Sequence, residues 1–307
     1  LQLLSAMAAV TVENITKRYG DTVALDGVSF EVEPGELFGI IGPDGAGKTS
    51  LFRIIATLIL ADSGTATVLG FDVVKDYKEL RKRIGYMPGR FSLYQDMTVE
   101  ENLAFFASVF GTTIEANYHL VEGIYKFLEP FKKRRAGKLS GGMKQKLALC
   151  CALIHKPDIL YLDEPTTGVD PVSRKEFWEM LKQLQQEGIT IIVSTPYMDE
   201  ANLCDRIALI QEGRFMQIDT PQRIRSGYSA LLWVVRTNRM HSLLNDVRAF
   251  PGVDYGYAFG ETHHFVAGEG FDPEGLKRYL RDLGHGDIVL YPGEATIEDC
   301  YMLLAKQ

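Results

Sequence analysis

A glycine-rich run early in the chain has the residue types and the spacing of a phosphate-binding loop. Gly42, Gly47, Lys48 and Thr49 occupy every fixed position of the pattern G-x-x-x-x-G-K-[S/T]. An apolar stretch precedes the run and an apolar helical pattern follows it, which is the context that this chemistry requires. Glycines let backbone N–H groups close around phosphate oxygens, and a helix N-terminus attracts the same anion. The chain is therefore predicted to bind a nucleoside triphosphate.

The residues of this loop have separate expected roles. Lys48 is expected to reach the β- and γ-phosphates and to act in catalysis, whereas the hydroxyl of Thr49 is expected to ligate Mg²⁺. The remaining residues expected to contact the nucleotide here are Gly42, Pro43, Asp44, Gly45, Ala46, Gly47 and Ser50.

Two adjacent acids follow a second apolar stretch. Residues 159–162 have the wholly apolar character of a strand buried in a parallel sheet, and Asp163 and Glu164 come directly after it. The carboxyl ends of such strands are where open α/β sheets bind ligands. We expect Asp163 to ligate Mg²⁺ and Glu164 to accept a proton from the attacking water.

A third motif opens a predicted helix between these two. Ser140 is a suitable helix cap, and Gly141 and Gly142 leave the first N–H groups exposed, which makes a second anion site. With the preceding Leu139, this run resembles the signature motif of the ATP-binding-cassette (ABC) ATPases. The resemblance covers about residues 10–220. It implies that two cassettes pack head to tail, so that each signature motif completes the ATP site of the other.

The resemblance assigns further expected roles. Tyr19 matches the aromatic residue that stacks on adenine, and Asp170 matches the loop that communicates across the dimer. Thr195 and Pro196 match the switch region of the family. ATP and Mg²⁺ are the implied cofactors.

Two positions depart from the family pattern. Gly89 stands where a glutamine normally contacts Mg²⁺ and water and senses the membrane subunit, and Gln95 is too far along the chain to replace it. Pro196 stands where a histidine normally binds the γ-phosphate, and proline has no donor. One hypothesis is a weakened hydrolytic site in an asymmetric pair, in which Ser140 still serves the partner. The rival hypothesis is that hydrolysis tolerates both losses because Glu164 carries the step.

The elements around these motifs alternate between strand and helix, which predicts an α/β fold with a largely parallel sheet. The predicted strands are 10–16, 23–30, 37–41, 159–162, 189–194 and a hairpin of 206–210 with 214–219. The predicted helices are 49–60, 77–83, 99–110, 114–129, 141–155, 171–187 and 197–204, with a loop at 62–64. The expected fold is a P-loop NTPase cassette with a mixed, mainly parallel sheet, antiparallel N-terminal strands and a helical subdomain at about 90–155.

The pattern changes near Thr220, where a second domain is expected. Its predicted elements are strand 231–237, helix 239–249, strands 254–260 and 262–267, helix 273–284, strand 286–291 and a last helix 296–304. The order βαββαβ is that of a small ferredoxin-like α+β unit. The expected domains are therefore 8–220 and 221–307. His263 and His264 are consecutive on a strand and face opposite sides, which argues against a shared zinc site.

Composition excludes some classes of function. The 307 residues are 46% hydrophobic, which argues against disorder, and the net charge of −7 argues against nucleic acid as a partner. No apolar run approaches the roughly 20 residues of a membrane span.

Four cysteines without C-x-x-C spacing predict reduced thiols in the cytosol. The basic run 132–135 is expected to be a solvated loop. Residues 1–7 are too short for a signal peptide, with Met7 a candidate start.

Two stretches resemble export-type bacterial cassettes, namely residues 94–102 and the C-terminal extension with residues 295–299. The expected function is the ATP-binding subunit of an ABC exporter, peripheral on the inner face of the cell membrane. Its expected partners are a transmembrane permease and a second cassette, in a homodimer or an asymmetric pair. The departures at Gly89 and Pro196 also resemble the first cassette of tandem-ATPase exporters, which makes the chain a candidate fragment of a longer protein.

The alternative function is an ATP-gated regulatory or scaffold cassette with little hydrolysis. A GTPase is disfavoured, because the sequence has no N-K-x-D motif.

Overall fold

The computed structural model describes residues 7–306, so the expectations for residues 1–6 lie outside the described residues. The chain divides into two compact units, one that ends at Gln222 and one that spans Arg223–Lys306. Each unit has a buried apolar core of its own.

The first unit contains two sheets and several helices. Its strands are β1 (Val10–Tyr19), β2 (Thr22–Val32), β3 (Leu37–Ile41), β4 (Ser63–Val68), β5 (Phe71–Asp72), β6 (Ile84–Met87), β7 (Ile159–Asp163), β8 (Thr190–Thr195), β9 (Arg206–Gln211) and β10 (Arg214–Asp219). Its helices are α1 (Lys48–Ile55), α2 (Tyr77–Leu80), α3 (Val99–Val109), α4 (Ile114–Tyr125), α5 (Gly141–Leu153) and α6 (Pro171–Gln186). Short 3₁₀ segments occupy Glu129–Phe131, Ala136–Lys138 and Met198–Leu203, and α7 (Pro221–Ser226) crosses the boundary between the units.

The larger sheet has six strands in the order β10-β9-β3-β8-β7-β6. All of its neighbours pair in parallel except the hairpin of β9 and β10. Every residue of β3, β7 and β8 is buried, as expected for central strands covered on both faces. The N-terminal strands form a separate antiparallel sheet in the order β2-β1-β4-β5. The predicted mixed sheet with antiparallel N-terminal strands is confirmed.

The helix predicted over 49–60 is wrong at its C-terminal end. In the structure α1 ends at Ile55, and Thr57 has a φ of 63°, in the left-handed region that a helix cannot continue through. The guanidinium of Arg81 donates to both the carbonyl and the hydroxyl oxygen of Thr57, at 2.6 and 2.8 Å. The helix therefore stops early at a turn that its own backbone closes, with Leu58 N donating to the carbonyl oxygen of Arg53 at 2.7 Å, and that Arg81 supports.

The loop predicted at 62–64 is instead the beginning of β4. Ser63 pairs with Thr16 of β1, and a side chain at Gly64 would place its Cβ 2.4 Å from the carbonyl oxygen of Asn14. Glycine is required here because two backbones approach closely. The turn-like composition of residues 62–64 did not predict a strand, because β4 depends on its pairing with β1.

Other elements also differ from the prediction. Residues 84–87, given no element, form β6 at the edge of the parallel sheet, and the preceding helix ends at Leu80. Helix α4 ends at Tyr125 instead of residue 129, and residues 198–203 are 3₁₀ instead of α-helical.

The second unit is a four-stranded antiparallel sheet with three helices. Its elements are β11 (Leu231–Arg236), α8 (Met240–Arg248), β12 (Val253–Phe259), β13 (Thr262–Ala267), α9 (Pro273–Asp282), β14 (Val289–Pro292) and α10 (Ile297–Leu304). The strand order β12-β13-β11-β14 is that of a split βαβ unit, which confirms the predicted ferredoxin-like order.

The consecutive histidines of β13 mark the two faces of this sheet. His263 Nε2 lies 3.1 Å from the carbonyl oxygen of Met240 in α8, whereas His264 Nδ1 lies 2.6 Å from Asp299 Oδ1 in α10. The hydroxyl of Tyr257 also donates to Asp299. Asp299 is fully buried, and it therefore attaches α10 to the sheet face opposite α8.

The pKa of Asp299 links this attachment to pH. Burial raises the pKa, but hydrogen bonds from His264, Thr296 and Tyr257 outweigh it, so the pKa lies below its ordinary value. A lowered carboxyl pKa contributes stability that is present above the ordinary pKa and lost as the pH falls through the lowered one.

We expect Asp299→Asn to lower the free energy of unfolding of the second unit by about 1–3 kcal/mol, because buried donors lose their acceptor. Urea unfolding of the full chain in a Trp178→Phe background, followed by the fluorescence of Trp233, measures this unit. The loss should be smaller in acid than at neutral pH. Glu269→Gln, at an exposed acid of the same unit, is the control. Equal stability of the two variants would contradict the assignment.

Candidate functional site

The loop between β3 and α1 has a backbone that only glycine accommodates. Gly45 and Gly47 have φ values of 81° and 102°. A Cβ at Gly47 would lie 2.2 Å from the carbonyl oxygen of Ala24, and one at Gly42 would lie 2.3 Å from that of Ile210. Both are closer than a real Cβ comes to an oxygen, so the glycines are required sterically as well as conformationally.

Lys48 opens α1 and is held inside this loop. Its side chain is 3% exposed, and Nζ donates to the carbonyl oxygens of Gly42 and Pro43 at 2.8 and 2.9 Å. The same Nζ lies 3.1 Å from Glu164 Oε1. The structure thus brings together the two residues predicted to be catalytic, although more than a hundred positions separate them.

The two predicted Mg²⁺ ligands also meet. Asp163 ends β7 with 2% exposure, it accepts a hydrogen bond from the hydroxyl of Ser194 at 2.7 Å, and the hydroxyl of Thr49 lies near its carboxylate. Burial raises the pKa of Asp163, and the two hydroxyls offset only part of the rise. A buried carboxylate beside a hydroxyl is a donor set that suits Mg²⁺, which takes oxygen ligands and keeps several waters or phosphate oxygens. In residues 7–306 no cluster of three or more His, Cys, Asp or Glu residues offers a rival metal site.

Strand β8 supports both acids from the side. The backbone N–H of Glu164 donates to the carbonyl and the hydroxyl oxygen of Ser194, at 3.1 and 3.0 Å. Glu164 has a φ of 50°, a left-handed conformation that is uncommon for residues other than glycine. Ser194 therefore holds the acidic pair through two different contacts, and the sequence motifs gave no indication of this role.

A buried acid that the sequence analysis missed connects the surrounding segments. Glu200 is 2% exposed, and its carboxylate accepts hydrogen bonds from the hydroxyls of Thr166, at 2.8 Å, and Thr195. Arg174 Nε in α6 lies 3.8 Å from the same carboxylate. Glu200 thus ties the segment after Glu164 to the end of β8 and to α6. Its partners are scattered along the chain, so no spacing pattern could have identified it.

The signature motif belongs to a second group of residues. Ser140 caps α5 by accepting a hydrogen bond from the N–H of Met143 at 3.3 Å, as predicted. A Cβ at Gly142 would lie 2.6 Å from Ser173 Oγ at the start of α6. Asp170 caps α6 by accepting from Ser173 N at 3.0 Å. The contacts of this group are therefore with the start of α6 and not with the phosphate loop.

The other predicted positions are placed as follows. Tyr19 ends β1 and is 49% exposed, with Lys17 Nζ 5.6 Å from the centre of its ring. A Cβ at Gly89 would lie 3.0 Å from the carbonyl oxygen of Asp163 and 3.8 Å from its Oδ2, so this position borders the predicted Mg²⁺ ligand. The side chain of Gln95 lies beside Gly137, where a Cβ would be 3.6 Å from Gln95 Oε1, and the backbone carbonyl oxygen of Gln95 accepts a hydrogen bond from Gly137 N at 2.9 Å. The contacts of Gln95 are therefore with the segment before the signature motif.

Comparison with known proteins adds to this geometry. The family model described as "ABC transporter" matches residues 25–167. The Nod factor export ATP-binding protein I of Burkholderia lata is 41% identical, over 97% of this chain and 97% of that protein. The chain belongs to the ABC transporter family.

Two further relatives of this ABC cassette differ in extent. The "Probable multidrug ABC transporter ATP-binding protein YbhF" of Escherichia coli K12 is 41% identical over 71% of this chain, which spans only 38% of that relative. A solved ATP-binding cassette, MJ0796 in a dimeric post-hydrolysis state bound to ADP and Pi, has a TM-score of 0.62 and 25% identity over 69% of this chain and 98% of its own. Among the described residues of the present cassette, no helix is both long and apolar enough to cross a membrane.

We expect Lys48→Ala to weaken ATP binding by about 10- to 100-fold, which corresponds to the loss of one or two hydrogen bonds to a charged group. Titration with a fluorescent ATP analogue measures the affinity. Lys75→Ala, at an exposed lysine outside the site, should bind like the unmodified chain. An unchanged affinity of Lys48→Ala would contradict the assignment of the phosphate loop.

Proposed function

We propose that the chain is the ATP-binding subunit of a bacterial ABC exporter, which binds Mg-ATP, pairs with a second cassette and drives a separate transmembrane permease. The observation that carries the proposal is the separation of two groups of residues. Lys48, Asp163 and Glu164 form one half of an ATP site, and Ser140 to Gly142 lie in another group at the start of α5. This arrangement fits a pair of cassettes in which the signature motif of each one completes the ATP site of the other. Full-length similarity to a Nod factor export protein supports export.

Within this proposal the contacts of Lys48 define a first step. Its Nζ exchanges the carbonyl oxygens of Gly42 and Pro43 and the carboxylate of Glu164 for oxygens of the β- and γ-phosphates. Glu164 then has a free carboxylate that can accept a proton from water. Mg²⁺, when held by Thr49 and Asp163, supplies positive charge against the phosphate oxygens. Tyr19 offers an exposed ring to the adenine.

An apolar cleft beside the site supports the permease as partner. The cleft has a volume of about 460 Å³ and is lined by residues that include Tyr86, Pro88, Leu93, Phe106 and His155. Pro88 directly precedes Gly89, which borders Asp163. A segment bound in the cleft therefore contacts Pro88, which is one residue from Gly89 at the ATP site. We propose that a cytoplasmic segment of the permease occupies it, which places the cassette on the inner face of the membrane.

A second candidate is favoured by Gly89 and Pro196. Both positions lack the side-chain donor that the family pattern has there, which supports a cassette that binds ATP and hydrolyses little. The chain spans 38% of YbhF, which leaves room in such a relative for a second cassette. The candidate is therefore a weak half-site in an asymmetric or tandem pair, or a regulatory cassette without a permease. Purification with a membrane protein favours the exporter, and purification with a soluble partner favours the regulator.

Glu164→Gln should trap an ATP-bound dimer, because the amide cannot accept the proton from water. Gel filtration with ATP and Mg²⁺ should show a doubled mass. The variant Glu164→Gln/Ser140→Arg is the matched control, since it should bind ATP and stay monomeric. A dimer that is unaffected by Ser140→Arg would contradict the role of the signature motif.

Steady-state ATP hydrolysis separates the two candidates, with Glu164→Gln as the blank. In a weakened site, the double variant Gly89→Gln/Pro196→His should raise turnover by about 100-fold, a typical contribution of a hydrogen-bond donor aimed at the charge of the transition state. Gly89 has no left-handed φ, so a glutamine requires only a small shift of the Asp163 backbone. Turnover of the unmodified chain well above the blank, with no gain in the double variant, would show that Glu164 suffices.

A further inference from the structure

The segment around the signature motif has a charge opposite to that of the whole chain. Residues 126–146 contain eight Lys or Arg residues and a single acid, Glu129, whereas the chain has a net charge of −7. The sequence alone indicates only a solvated loop at 132–135. The structure shows which of these cations have no ion pair within the described residues and how the backbone holds them.

Five of the cations form what we term the basic patch. They are exposed, and none has an ion-pair partner within 4 Å among residues 7–306; they are Lys126, Lys133, Arg134, Arg135 and Lys138. The remaining cations of the segment are partly or fully covered. Lys146, for example, is 8% exposed and binds Glu176 at 2.6 Å. The five cations are therefore not joined in a salt-bridge network, although the carboxylate of Glu101 lies near enough to Arg135 to interact with its charge.

The backbone presents the basic patch in a fixed place. Val99 N donates to the carbonyl oxygen of Arg134 at 3.1 Å, and Ala136 N donates to that of Met97 at 2.8 Å. The same ladder continues through Gly137 N and the carbonyl oxygen of Gln95. The backbone is thus ordered, while the long side chains that it displays are free to adapt.

An exposed aromatic residue accompanies the charges. Phe127 is 49% exposed, and the ammonium groups of Lys126 and Lys146 lie 5.5 and 4.7 Å from the centre of its ring. A basic side chain beside an exposed aromatic ring is typical of surfaces that bind the headgroup region of anionic bilayers, and here that side chain is Lys126, since Lys146 is buried and paired with Glu176. Lys144 Nζ lies 5.4 Å from the centre of the Phe91 ring, and Phe91 directly precedes Ser92 and Leu93, which line the apolar cleft.

We propose that the basic patch binds the headgroups of anionic phospholipids directly. Clusters of four to eight Lys or Arg residues attract such headgroups with a factor of about 5 in affinity per residue. Adaptable side chains suit a mobile array of phosphates better than the fixed carboxylates of one folded partner. This contact requires neither the permease nor ATP hydrolysis, so it goes beyond the proposed function and can fail or hold independently of it.

Sedimentation of the full chain with lipid vesicles tests the proposal. The chain should partition onto vesicles that contain phosphatidylglycerol, and hardly onto vesicles of phosphatidylcholine alone. High salt should release it, because the Debye length falls from about 8 Å at physiological ionic strength to about 3 Å at 1 M. Equal partition onto both vesicles would overturn the proposal.

A charge-reversal variant locates the contact. Lys133→Glu/Arg134→Glu/Arg135→Glu should lower the partition coefficient at least about 100-fold, as three factors of about 5 multiply. The control Lys75→Glu/Lys78→Glu/Lys82→Glu has the same net charge and changes exposed residues elsewhere, so it should retain most of the binding. ATP affinity reports that both variants are folded.

Two outcomes would refute the lipid assignment. Equal losses in the two variants would mean that net charge alone governs binding. If the reversal variant kept its vesicle binding and lost only its attachment to permease-containing membranes, the basic patch would belong to an acidic protein segment.

Discussion

The ammonium group of Lys48 is the charge on which the site depends. A buried cation is costly unless oxygens surround it, and here the oxygens come from the phosphate loop and from Glu164. They can meet only if the ends of β3 and β7 lie at one edge of the sheet. Strand β8 lies between them and serves both sides, since the carbonyl oxygen of Thr195 accepts from Gly42 and Ser194 supports Asp163.

The contacts of the signature motif depend on α6. Ser173, in its first turn, contacts Gly142 of the signature group and donates its backbone N–H to the Asp170 cap, and the next residue, Arg174, faces Glu200. Glu200 in turn binds the segments that follow Glu164 and Ser194. One buried carboxylate thus joins the segments that follow Glu164 and Ser194 to α6, the helix that Asp170 caps. A change at the signature motif has a continuous set of contacts through which to reach the acids.

The charges of the chain are distributed unevenly in a way that composition conceals. A net charge of −7 alone argues against any anionic partner, yet the basic patch presents five cations without ion pairs among the described residues. The argument from net charge fails for a local surface because salt screens exposed charges beyond about 8 Å. Lys144, in the same basic segment, lies over the ring of Phe91, which directly precedes two residues that line the apolar cleft.

Local spacing was enough to predict the phosphate loop, the acids after β7, the Ser140 cap and the βαββαβ order, because each depends on neighbours a few residues apart. Only the tertiary structure revealed that α1 ends early, at a turn that Arg81 supports by binding Thr57, and that residues 63–68 form β4 by pairing with β1. It alone revealed the roles of Ser194 and Glu200, whose partners are tens of residues away. Sequence patterns report interactions along the chain, whereas these features depend on hydrogen bonds between segments that meet only after folding.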